Sequence, residues 1–156
     1  MARRGGQRGA RATASSGSRQ TRQRSFRLPE RLLDVLDARA KERGESANRL
    51  AERLLDEGLH TDVHPLIHFR AGAGGRPRPA LVGTRLYVWQ VIASVRSSDG
   101  SLEEAAEYLG LTREQVQACV SYYADFQDEV EAYVQEEREF ARREQDRWRR
   151  EQEVLG

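Results

Sequence analysis

Three polar side chains stand two residues apart in the run Arg22 to Leu28: Gln23, Ser25 and Arg27. In an extended chain alternate residues share a face, so these three point one way and Arg24, Phe26 and Leu28 the other. The first set can donate and accept hydrogen bonds, and a two-stranded ribbon carrying it fits the DNA major groove. Other chemistry is weaker. His60, His64 and His68 are spaced by four, as metal ligands on a helix face are, but Pro65 interrupts the span and no cysteine or carboxylate cluster completes a site. They are expected to be unrelated surface or packing histidines. Gly72-Ala73-Gly74-Gly75 lacks the Lys-Ser or Lys-Thr of a phosphate loop and is expected to be a turn. Cys119 has no basic neighbour to activate it and is expected to be a small core residue. No nucleophile has a base, no metal cluster forms, and no cofactor is implied, so an enzyme is not expected.

The elements that position these residues follow from periodicity. Pro29 ends the strand and opens a helix. Leu32, Leu33, Leu36 and Ala40 then recur at helical steps and predict one buried stripe closed by Gly44. Ser46 caps a second helix carrying Leu50, Leu54, Leu55 and, past Gly58, Leu59. A lone strand and two short helices bury too little to be stable alone. A second copy solves this, pairing the strands and closing four helices over a dimer core of Phe26, Leu28, Leu32, Leu36, Leu50 and Leu54.

His60 to Pro79 is linker-like, with short strands expected over 66–70 and 79–82. Residues 84–126 predict a helical block. Its first helix is marked by Val88, Val91, Ile92 and Val95. Its second has Ser101 and Glu104 as a capping box and buries Leu102, Ala105, Ala106 and Leu109. Its third has Thr112 and Gln115 as a box and carries Val116, Cys119, Val120 and Tyr123. Helix, glycine turn, helix is the helix-turn-helix outline. Among acids such as Glu103, Glu104, Glu107 and Glu114, its last helix offers only Arg113 as a base, so the block is expected to contact protein and not DNA. Residues 127–156 form a strongly helix-favouring charged segment. Its sparse apolar side chains include Tyr133, Phe140 and Trp148, the last two on one face, which suits either anchors for a partner's groove or a solvated helix held by Glu–Arg pairs with Trp148 packing back on its own domain.

Composition bounds the rest. The chain of 156 residues is 38% hydrophobic and 33% charged, and its net charge of +1 hides an asymmetry. Residues 1–28 contain eight arginines and no acid, whereas the second half is rich in Glu. Residues 1–20 lack periodicity and are expected to be a disordered basic arm, lying along DNA phosphates or in the minor groove, with Arg19, Arg22 and Arg24 as phosphate contacts. A single cysteine excludes a disulfide framework. No apolar run reaches a membrane span and the basic N-terminus lacks the apolar core of a secretory signal, so a cytoplasmic protein is expected.

Two resemblances sharpen this. The strand ending in Arg27-Leu28-Pro29, the helix to Gly44 and Ser46-Ala47-Asn48 opening the next helix resemble the ribbon-helix-helix family of dimeric bacterial DNA-binding proteins. That likeness implies base reading by Gln23, Ser25 and Arg27, and a phosphate held at Ser46, Ala47 and Asn48. Gly75-Arg76-Pro77, Gly83-Thr84-Arg85, Val88, Glu103-Glu104, Leu111-Thr112, Glu114, Val116 and Tyr122-Tyr123 resemble the family catalogued as domain of unknown function 433, from which the glycine insertion between Arg70 and Gly75 departs. That family is similar to antitoxins of toxin–antitoxin operons. The two together look like a VapB-type antitoxin, implying a PIN-like ribonuclease toxin as partner and Tyr133, Phe140 and Trp148 as contacts to it.

The expected fold is therefore mainly α. It comprises the basic arm (1–20), a ribbon-helix-helix dimerisation and DNA-binding domain (21–60), a small winged-helix-like antitoxin domain (61–126) and a charged C-terminal helix (127–156). The expected partners are operator double-stranded DNA, a second copy of the chain with the order of assembly beyond the dimer left open, and the toxin, with no membrane. The alternative is a stand-alone repressor whose second domain only oligomerises.

Overall fold

A computed structural model describes residues 22–72 and 75–155. It is mainly helical, running α1 (Glu30–Arg43), α2 (Ala47–Val63), β1 (Ile67–Ala71), β2 (Pro77–Leu81), α3 (Val88–Ser97), α4 (Leu102–Leu109), α5 (Arg113–Asp125) and α6 (Gln127–Leu155). The arm 1–20, with Arg19, lies outside the described residues.

Local signals set most boundaries. The Pro29 carbonyl accepts from the amides of Leu32 and Leu33, starting α1 without a side-chain cap. Gly44 ends it in the left-handed conformation (φ 66°), which lets the next amide reach back to the Ala40 carbonyl. The Arg49 amide donates to Ser46 Oγ at the start of α2. The Thr112–Gln115 box is complete in both directions. Ser101 and Glu104 make only half of theirs: the Glu104 amide donates to Ser101 Oγ, while the Ser101 amide is already committed to the Ser98 carbonyl.

Two expectations change. Residues 22–28 hold no strand, because a strand needs a ladder partner and one chain offers none. The passage from His60 is not a linker at its start: α2 continues to Val63 and crosses the boundary set at residue 60. Pro65 does exclude helix, but only beyond the cap at His64. The hairpin forms, with β1 and β2 antiparallel and Ile67 opposite Leu81. At its turn the Gly72 amide donates to the Arg76 carbonyl and the Gly75 amide to the Gly72 carbonyl. A Cβ at Gly72 would meet the Arg78 side chain at 2.7 Å, so this position has no room for a side chain.

The core lies in the C-terminal half. Ile67 and Leu81 of the hairpin pack with Val88, Val91 and Ile92 of α3, Ala105 and Ala106 of α4, and Val116, Cys119 and Tyr122 of α5. On α5 the buried stripe runs 116–119–122, so Tyr122 and not the expected Tyr123 is the fully buried tyrosine. Val130 seats the start of α6 on this core. From Ala141 to Val154 every residue of α6 is exposed. The helix has 29 residues, about 43 Å at 1.5 Å per residue, so its distal half stands clear of the core.

Candidate nucleic-acid interface

The N-terminal helix pair is the least covered part of the chain. Between α1 and α2 only Ala40, Leu50 and His60 are buried. The expected stripe on α1 is open at its start, where Leu32 is 50% and Leu33 43% exposed, half-buried at Leu36 and closed at Ala40. Phe26 (68%), Leu54 (48%) and Leu55 (57%) are open as well. Phe26, Leu28, Leu32, Leu36, Leu54 and Leu55 line one apolar groove of about 290 Å³. Of the six residues expected in a dimer core, five border this groove. Leu50 does not, being 1% exposed and already packed within one chain.

Beside the groove, Gln23, Ser25 and Arg27 are exposed, as are Arg22 and Arg24. At the start of α2 the Ser46 hydroxyl is engaged as a helix cap. The amides of Ala47 and Asn48 have no carbonyl partner within the helix, as in any first turn. The macrodipole adds partial positive charge there.

Two of the histidines, His60 and His64, belong to packing. His60 Nδ1 lies 3.0 Å from the Tyr122 hydroxyl, and its ring stacks on Phe126 at 3.9 Å between centroids. His64 Nε2 lies 2.9 Å from Asp125 Oδ2. These contacts tie α2 to α5. Sequence reading missed the pair as a structural joint, because α5 supplies its partners from about sixty positions away. Among the described residues no group of His, Cys, Asp or Glu is placed to hold a metal. Cys119 is wholly buried, and burial pushes its thiol up to about 12.

A second joint ties β2 to α6. Arg78 is 3% exposed, donates to Glu136 at 2.7 Å, lies 3.5 Å from Glu137 and stacks its guanidinium over Tyr133 at 4.5 Å. The Tyr133 hydroxyl donates to Glu129, and burial raises its pKa. Tyr133 is thus part of the fold, and its expected place on a free binding face is corrected. Phe140 is half-buried at the end of the seated half of α6, whereas Trp148 is 60% exposed on the free half. Arg113 pairs with Glu103, so α5 presents no free cation among the described residues.

Much of the expected motif of residues 75–123 is built into turns, caps and core. Gly83 takes φ 76°, Thr84 Oγ1 donates to the Leu81 carbonyl at 2.9 Å, and the Leu86 amide donates back to that oxygen. Val88 and Val116 are core residues, and Thr112 is a cap. Among the described residues no helix is long and apolar enough to cross a membrane. No curated protein and no solved structure matches the chain. Residues 73–123, which hold this motif, match the model of a family described as Protein of unknown function (DUF433).

Proposed function

We propose that the chain is a dimeric antitoxin that binds its own operator in the cytoplasm. The N-terminal part acts as a ribbon-helix-helix unit. Two copies pair residues 22–28 into a ribbon, which brings Gln23, Ser25 and Arg27 of each copy to base edges and the first turns of α2 to phosphates. The observation that carries this reading is the open apolar groove under a basic, exposed lead-in: Phe26 and Leu54 are only partly covered in one chain. Residues 61–126 serve as a winged-helix-like module, and the projecting half of α6 holds a PIN-like ribonuclease toxin, with Trp148 as its exposed anchor.

Binding to duplex from upstream of the gene tests the first part. Arg27→Ala weakens specific binding by about 1–3 kcal/mol if Arg27 contacts a guanine, with unrelated duplex affected much less. Equal binding by parent and variant removes the ribbon assignment. For the second part, a bound ribonuclease inhibited by the parent and released by Trp148→Glu supports the antitoxin. A chain that recovers DNA alone, with no ribonuclease inhibited, leaves a plain repressor whose second domain only oligomerises.

A further inference from the structure

A cleft of about 530 Å³ opens between the N-terminal helix pair and the hairpin. Arg43, Arg49 and Arg53 come from the α1–α2 side, and Arg76 and Arg78 from the other. Three of the five meet carboxylates, two of them closely. Arg53 bridges Glu45 at 2.8 Å and Glu57 at 3.0 Å, and Arg78 is clamped by Glu136 and Glu137. These pairs fix the walls. Arg76 is 70% exposed and reaches Glu136 only as a second claimant at 3.3 Å. Arg43 and Arg49 are exposed and make no ion pair among the described residues. Arg49 also sits in the first turn of α2, beside the positive end of the helix.

Two guanidiniums unpaired among the described residues, Arg43 and Arg49, and the exposed Arg76, which shares Glu136 with Arg78, face one opening and favour an anion there. Their planar forks match phosphate oxygens two at a time. The cleft begins within three residues of Ser46, Ala47 and Asn48, at the same helix end. We propose that it takes a backbone phosphate of the duplex bound by the N-terminal part, so that Arg76 of the hairpin extends the DNA contact beyond the ribbon. This rests on the DNA reading above and assigns DNA contact to residues of the C-terminal half, which the acidity of α4 and α5 had argued against.

The test uses the full chain, with affinity for upstream and unrelated duplexes measured across a salt series. Arg49→Gln and Arg76→Gln, checked for an unchanged melting temperature, should each weaken both duplexes equally and reduce the salt slope by about one. Arg76→Lys should keep the slope, since charge is retained. Arg27→Ala, by contrast, should lose the upstream duplex selectively. If Arg27→Ala behaves so while Arg49→Gln and Arg76→Gln keep the parent affinity and slope, the cleft proposal is overturned and the DNA reading stands. A parent that binds neither duplex overturns both. Loss of a bound protein partner from Arg76→Gln with unchanged DNA binding assigns the cleft to an acidic protein segment and also overturns the proposal.

Discussion

Leu54→Ala separates a groove that awaits a second copy from an apolar face that stays wet. Leu54 is 48% exposed in one chain, so about half of its burial is still available. Burying a whole leucine is worth about 1.5–3 kcal/mol, which leaves roughly 1 kcal/mol per copy. A two-fold interface counts the residue twice, giving about 2 kcal/mol per dimer. At 1.4 kcal/mol per decade, the dimer dissociation constant should rise roughly 30-fold. Sedimentation equilibrium across a concentration series reads this directly. The parent's melting temperature should also climb with concentration more steeply than the variant's. Leu50→Ala is the contrast: Leu50 is buried within one chain, so truncation costs about 2–5 kcal/mol of fold stability. A parent that stays monomeric at every concentration, or a Leu54→Ala dimer as tight as the parent, refutes the reasoning.

Other expectations follow from the two joints and the core. Arg78→Ala takes the cation from Glu137 and leaves Glu136 with Arg76 alone, and because both carboxylates retain some exposure the cost should lie near the low end for breaking a buried pair, about 3 kcal/mol by urea unfolding. A loss under about 1 kcal/mol, the value of a surface pair, means the clamp is solvated in solution. Stability should fall at alkaline pH. Burial raises the Cys119 thiol from 9.0 to about 12 and also raises the Tyr122 phenol. The fold therefore keeps protons that the unfolded chain releases, and stability declines as pH rises past about 9. Urea midpoints between neutral and alkaline pH check this, and a flat profile contradicts it. Gly110→Ala, at φ 66°, should cost roughly 1–2 kcal/mol for a left-handed alanine, seen as a lower melting temperature with helix content retained.

Much of the fold was legible in the sequence, because helix boundaries are local. Pro29, Gly44, Ser46, Thr112 and Gln115 announce starts and stops through bonds that span only a few residues, and the structure places α1, α2 and α5 accordingly. The glycine turn and its flanking strands were visible for the same reason. The portion that matches the DUF433 model was recognisable from spaced residues, several of which are turns, caps and core. What the sequence could not settle depends on partners distant along the chain. Whether Arg22–Leu28 is a strand depends on a second chain. That Leu50 is covered while Leu54 is open depends on how one copy of α2 packs. That His60 meets Tyr122, that Arg78 lies over Tyr133, and that Arg49 faces Arg76 across one cleft are decided by tertiary packing, since burial and electrostatics act through space and not along the chain.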